Sequence, residues 1–177
     1  MHMTEIATLA GGCFWCLEAI FQRVRGVKKV TSGYIGGHIR HPQYRQVCDG
    51  NTGHAEAVQI EYDTSIISFE GLLEVFFDIH NPTTRNRQGN DVGSQYRSAI
   101  FYHNENQRLA SLAILEKVSL AWPMPIVTEL CAADTFWPAE LEHHDYYNQH
   151  PSQPYCMAVV GPKVQKFMQH FAGLLKE

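Results

Sequence analysis

The sequence predicts an α+β fold, a two-layer sandwich in which helices pack on a mixed β-sheet. Three observations carry that expectation. Glu56 to Tyr62 alternates with a period of two, the mark of a strand with one buried face. Leu17, Ile20, Phe21 and Val24, and again Phe69, Leu72, Leu73, Phe76 and Phe77, recur at helical spacing. Strand-like and helix-like segments alternate along the chain with no repeats, linkers or low-complexity stretches between them. The 177 residues fit a single domain over 1–177, large enough for a real core.

In order, Ile6 to Ala10 reads as a strand that runs into Gly11-Gly12 and then Cys13. The first helix follows, with Leu17 to Val24 on its apolar face, and Val27 to Tyr34 reads as the next strand. Residues Gly36 to Gly53 lack periodicity and form a loop carrying Tyr44 and Cys48. On the strand from Glu56 to Tyr62, Val58, Ile60 and Tyr62 share one face, and Glu56 falls on that same apolar side. Ser68 caps the helix that begins at Phe69. The polar run Asn81 to Arg97 is a long loop of the kind that serves a site. Ser98 to Tyr102 is a short strand, and Asn104 with Gln107 forms a capping box for a helix to about Leu120. Ile126 to Leu130 reads as a strand, Phe136 to Tyr155 as an aromatic segment with a short helix after Pro138, and Tyr155 to Val160 as a last strand. Gly161-Pro162 opens a final helix with Val164, Phe167, Met168 and Phe171 facing inward. This order fits a ferredoxin-like, split βαβ core.

Composition removes several function classes. A net charge of −4 gives no basic surface for nucleic acid or an anionic membrane. No apolar run approaches the ~20 residues of a membrane span, and Met1 to Glu5 lacks the basic and apolar segments of a signal peptide. Five cysteines, an odd number in a chain too large to need disulfides, suit working thiols in the cytoplasm.

The chemistry gathers at Gly11-Gly12-Cys13-Phe14-Trp15-Cys16. A cysteine is ordinarily a small buried hydrophobe. After a glycine turn, at a helix start and beside two aromatics, Cys13 reads instead as a nucleophile. The free N–H groups and dipole there are expected to make its thiol more readily ionised. Cys16 completes a Cys-x-x-Cys pair, unless it is simply an inward-facing core residue. Glu56, if buried, is expected to have a raised pKa and to stay protonated near neutrality as a proton donor. Asp91, Tyr96 and Tyr44 lie in polar loops, where site residues commonly sit. Cys48, Cys131 and Cys156 are isolated and only His143 and His144 are adjacent, so no metal site is expected.

Gly12-Cys13-Phe14-Trp15 with Glu18, then Gly26-Val27, Ser32-Gly33-Tyr34 and Gly36-Gly37, resembles the peptide methionine sulfoxide reductase A family. The likeness continues through Pro42-Gln43-Tyr44-Arg45, Thr52 to Val58, Asn90 to Ser98 and Gln153-Pro154-Tyr155-Cys156. It covers nearly the whole chain in the expected order. The resemblance implies that Cys13 attacks the sulfoxide sulfur and Glu56 protonates its oxygen. Tyr44 and Tyr96 would hydrogen-bond that oxygen, Asp91 would organise the site, and Phe14 and Trp15 would hold the ε-methyl group. It further implies the S epimer of methionine sulfoxide, free or in proteins, as substrate. A sulfenic acid would form on Cys13, then an intramolecular disulfide recycled by thioredoxin, with no metal or bound organic cofactor and with repair of oxidised proteins as the outcome. A monomer is expected.

One departure matters. Many members have glycine where Cys16 stands and a resolving cysteine in a glycine-rich tail, whereas this chain has no cysteine beyond Cys156. The resolving thiol is therefore Cys16 or Cys156, or both in relay. Cys16 is favoured slightly because a Cys-x-x-Cys pair needs little backbone movement, while Cys156 lies near where tail cysteines begin in the family. Cys48 and Cys131 are taken as structural. The competing readings are a general thiol–disulfide oxidoreductase using Cys13 and Cys16, and a non-catalytic zinc or redox-sensing module. The first has no use for Glu56, and neither has a use for the run Thr52 to Val58.

Overall fold

In a computed structural model, residues 3–177 are described; Met1 and His2, part of the stretch read above for a leader, lie outside them. The strands are β1 (Thr4–Gly11), β2 (Val27–Ile35), β3 (Ala55–Asp63), β4 (Arg87–Gln88), β5 (Asp91–Val92), β6 (Ser98–Tyr102), β7 (Glu129–Ala132) and β8 (Trp137–Pro138). Between them lie α1 (Phe14–Phe21), α2 (Tyr44–Cys48), α3 (Phe69–Ile79) and α4 (Glu105–Ala121), followed by α5 (Tyr146–Gln149) and α6 (Gly161–His170). One sheet runs in the order β7-β6-β1-β3-β2-β8, and β4 with β5 forms a separate hairpin. All pairs in the large sheet are antiparallel except β6 with β7, so the sheet is mixed. Its four central strands come from the run β1-α1-β2-β3-α3-β6 and stand in the order β6-β1-β3-β2. The α+β class expected from the sequence is the one observed.

Strand parity divides the core. Ala7 and Leu9 of β1, Val58, Ile60 and Tyr62 of β3 and Ile100 of β6 join one large cluster with α1, α3 and α6. Ala10, Ala55, Ala57, Ala99 and Phe101 point the other way, into a smaller cluster. Glu56 shares the parity of Val58 and Ile60 and is fully buried, so the alternation places a carboxyl on the helix-covered face. Two helix starts follow their sequence signals. Ser68 accepts the Gly71 amide on its hydroxyl at 3.0 Å, and Asn104 accepts the Gln107 amide at 2.8 Å. The Gln107 side chain reaches back to the His103 amide instead of that of Asn104. Replacing Ser68 by Ala is expected to lower stability by about 1 kcal/mol through loss of this cap. Urea unfolding measures it, and an unchanged midpoint would contradict it.

Several expectations need correction. Tyr155 to Val160 is not a strand: Cys156–Val160 is a π-helical turn that runs directly into α6. The strand expected at Ile126 to Leu130 lies at Glu129–Ala132, because its register is set by β6, Ala99 facing Glu129 and Tyr102 facing Ala132. The loop from Gly36 to Gly53 contains α2, and the long polar loop contains the β4–β5 hairpin and a 3₁₀ turn at Ser94–Tyr96. Trp137–Pro138, unread in the sequence, adds an edge strand beside β2. Helix α1 stops at Phe21, and Val24 is buried instead in a bridge to Leu175. Met168 points outward. Among the described residues no helix is long and apolar enough to cross a membrane.

Candidate active site

β1 ends against α3 and the chain must turn at once into α1. Gly12 makes that turn with φ of 95°, and a Cβ there would lie 2.9 Å from Gln88 Cγ. Cys13 follows as the N-cap of α1, with extended backbone and no side-chain cap of its own. Its carbonyl accepts the Cys16 amide at 3.1 Å, so the Cys-x-x-Cys pair spans the first turn of the helix.

The placement matches the sequence; the expected ionisation does not. The Phe14 amide, the first free N–H of α1, donates to Glu56 Oε1 at 3.1 Å. The helix start therefore holds the Glu56 carboxyl. The Cys13 thiol is pushed well above its usual pKa by burial, then by the charges of Glu56 and Cys16, against weaker pulls from the Trp15 amide and the Tyr155 hydroxyl. Desolvation outweighs the dipole because Cys13 is only 8% exposed. The thiol is held protonated at rest.

Glu56 follows its expectation. Burial raises its carboxyl to about 8, with Asp91 adding to the shift and the Phe14 amide opposing it. Its other oxygen, Oε2, is buried and has no hydrogen-bond partner among the described residues. The Tyr44 and Tyr96 phenols are raised by burial and next by the charge of Glu56, and Cys13 contributes to both shifts, so these groups face one centre. Asp91 lies at the edge of the same centre and accepts the Tyr155 hydroxyl at 2.5 Å.

Beside Cys13 the rings form an apolar wall. Trp15 lies flat on Tyr146, with centroids 3.9 Å apart and planes 6° apart. Its indole N–H donates to His143 Nδ1 at 3.3 Å, and Tyr155 meets it edge-on at 5.8 Å. Phe14 is fully buried against Tyr34 and Tyr44, at 5.6 and 6.2 Å. Glu140 ties this wall to β2 and α2 by accepting the Tyr34 hydroxyl and the Tyr44 amide, each at 3.0 Å. Glu140, Glu142 and His143 present ligand atoms within 4.8 Å of one another, but both Glu140 oxygens are already committed to those two bonds.

All five thiols are free. Cys16 is 2% exposed and raised to about 11, first by burial; Cys156, fully buried, contributes to that shift, as Cys16 contributes to that of Cys13. Cys48 is exposed beside Tyr44, and Cys131 lies on β7. Sequence reasoning gave no role to Tyr155, His143, Tyr146 or Glu140. Only Tyr155 carried a signal, as the neighbour of Cys156 in a recognised motif.

Residues 5–174 match the family model described as peptide methionine sulfoxide reductase. The chain belongs to that family. A peptide methionine sulfoxide reductase MsrA of Saccharolobus solfataricus is 54% identical over 172 residues, which is 97% of each chain. Among solved structures, Mxr1 of Saccharomyces cerevisiae in reduced form superposes with a TM-score of 0.79 at 32% identity, over 85% of this reductase and 87% of that chain. Mxr1 in complex with Trx2 superposes with a TM-score of 0.56 at 25% identity, over 81% and 84% of the two chains. Methionine sulfoxide reduction is thus the activity against which the geometry of this reductase is interpreted.

Proposed function

We propose that the chain reduces the S epimer of methionine sulfoxide, free or in proteins, with Cys13 as nucleophile and Glu56 as proton donor, and so repairs oxidised proteins. The observation that carries this reading is the buried Oε2, without a hydrogen-bond partner among the described residues, of a carboxyl that is protonated near neutrality and whose charge acts on Cys13. A sulfoxide cannot release its oxygen as hydroxide at useful rates without a proton. Oε2 supplies one, and Tyr44 and Tyr96 hold the same oxygen by hydrogen bonds. Once Glu56 has given its proton away, its carboxylate is the base nearest to the Cys13 thiol. The thiolate forms there and attacks the sulfur while Phe14 and Trp15 hold the ε-methyl group. Asp91 organises the far side through Tyr155.

In sum, thiol and sulfoxide become sulfenic acid and thioether: Cys13 is oxidised by two electrons, the substrate sulfur is reduced by two, and Glu56 recovers its proton. A second thiol condenses with the sulfenic acid, expelling water and closing a disulfide. Cys16 takes that role first, supported by its position one turn along α1, and Cys156, whose charge contributes to the Cys16 shift, is next in line. Thioredoxin then opens the disulfide by exchange, a reading supported by the complex of Mxr1 with Trx2. No metal or bound organic cofactor takes part.

Residues 1–177 work as one catalytic domain and a monomer in the cytoplasm, with five free thiols suited to a reducing compartment. The strand order β6-β1-β3-β2 built from a βαββαβ run supports a ferredoxin-like core.

The test is a thiol count without reductant. Each enzyme should release one methionine from the S epimer and none from the R epimer, with two thiols lost per methionine. Thiols oxidised without methionine release would sink the reading in favour of a general thiol–disulfide oxidoreductase.

A further inference from the structure

Helix α1 and its C-cap present Trp15, Glu18 and Gln22 at helical spacing on one side, and the segment from His143 to Asn148 packs against them. Glu18 is only 2% exposed, although it has no part in the proton transfers above. Its Oε1 accepts the Asp145 amide at 2.7 Å, and its Oε2 lies 4.0 Å from His144 Nδ1. Asp145 adopts the left-handed conformation, with φ of 55°, and its carboxylate is gripped by Gln22 and Asn148 at 3.0 and 2.8 Å. This strained turn stands between the two residues that hold the indole: His143 accepts its N–H, and Tyr146 covers its face.

We propose that Glu18 is a positioning residue for substrate, fixing the Asp145 turn from below so that His143 and Tyr146 clamp the Trp15 wall of the methyl pocket. The inference rests on the reductase reading and extends it to a residue one helical turn beneath the pocket. Burying a carboxyl is costly. Burial raises Glu18 to about 7, and the Asp145 and Tyr146 amides offset part of that shift. An aliphatic side chain could fill the same space without that cost, but it could not accept the amides of a left-handed turn.

Glu18→Ala, Glu18→Gln, Tyr146→Leu and the double variant Glu18→Ala/Tyr146→Leu are compared with wild type in single turnovers on the S epimer. Wild type must release methionine; if it does not, the reductase reading fails and not this one. In Glu18→Ala the half-saturating sulfoxide concentration should rise about tenfold while the saturated rate changes by less than about threefold, the split expected for lost binding alone. Glu18→Gln keeps an acceptor for the Asp145 amide and should recover most of the affinity. The double variant should bind no worse than the weaker single variant, because both changes release the same wall. Affinity within about twofold of wild type in Glu18→Ala, or additive losses in the double variant, overturns the proposal. Should Glu18→Ala fail to fold, Glu18→Leu, which fills the space but cannot accept the Asp145 amide, takes its place in the cycle: affinity within about twofold of wild type, or additive losses with Tyr146→Leu, overturns the proposal.

Discussion

Glu56→Gln should nearly abolish sulfoxide reduction and make the protein more stable at neutral pH. The lost activity follows from the missing acid: a positioned proton donor contributes about 10² to 10⁴ in rate. Amide geometry still satisfies the Phe14 N–H, so the loss is chemical and the fold stays intact. The gain in stability comes from the carboxyl's raised pKa. Between its unfolded value of 4.5 and its folded value of about 8, the native state binds a proton that the unfolded chain does not. Stability from this group is complete below pH 4.5, falls as pH rises, and levels off above about 8. At pH 7 the native protein therefore carries a cost of up to about 3 kcal/mol, which glutamine removes. Urea unfolding of both proteins at pH 5 and pH 8 measures the gap, which should widen with pH. Wild-type single-turnover rates should be level up to about pH 7 and be lost through about pH 8, as Glu56 ionises. A variant less stable than wild type at pH 8, or a rate that climbs across that range, would falsify the assignment.

The second large effect is expected among the thiols. Cys13→Ser should release no methionine at all, since a hydroxyl is far weaker than sulfur as a nucleophile toward the sulfoxide. Cys16→Ser should still release one methionine per enzyme and leave Cys13 as a sulfenic acid. Its turnover with thioredoxin should fall by about a hundredfold or more, because the neighbouring thiol acts at an effective concentration that external thiols do not reach. Dimedone labelling of Cys13 after one turnover checks the sulfenic acid. A disulfide between Cys13 and Cys156 in the Cys16→Ser protein, formed at the wild-type rate, would assign resolution to Cys156 and leave Cys16 a packing role.

Much of this site was legible because local rules and tertiary structure agree on it. The alternation from Glu56 to Tyr62 needs only a covered sheet face to bury the carboxyl, and β3 has one. Gly11-Gly12 before Cys13 needs only a sharp turn, and Gly12 supplies the left-handed φ. The misread parts depend on partners distant in sequence. Cys156 to Val160 is a short apolar run that fits a strand or a buried helix equally well. Here the amide of Cys156 is taken by the Gln153 side chain and that of Met157 by the Gln153 carbonyl, which commits the segment to helix. β7 lies three residues beyond its expected start because only its parallel pairing with β6 sets the register. The expected ionisation of Cys13 failed for a different reason: sequence reveals a helix terminus, but not how dry the terminus is or which acid occupies it.

A thiol kept protonated in a dry setting is a poor target for peroxide, electrophiles or stray disulfides, all of which react with the thiolate. Burial holds Cys13 in that quiet form, and under the proposed mechanism it stays so until a sulfoxide takes the proton of Glu56. The same burial that disarms the resting nucleophile thus lets a repair catalyst remain serviceable amid the oxidants whose damage it reverses. Selectivity, on this account, lies in what is allowed to switch the sulfur on, and only a ligand that reaches Oε2 can do so.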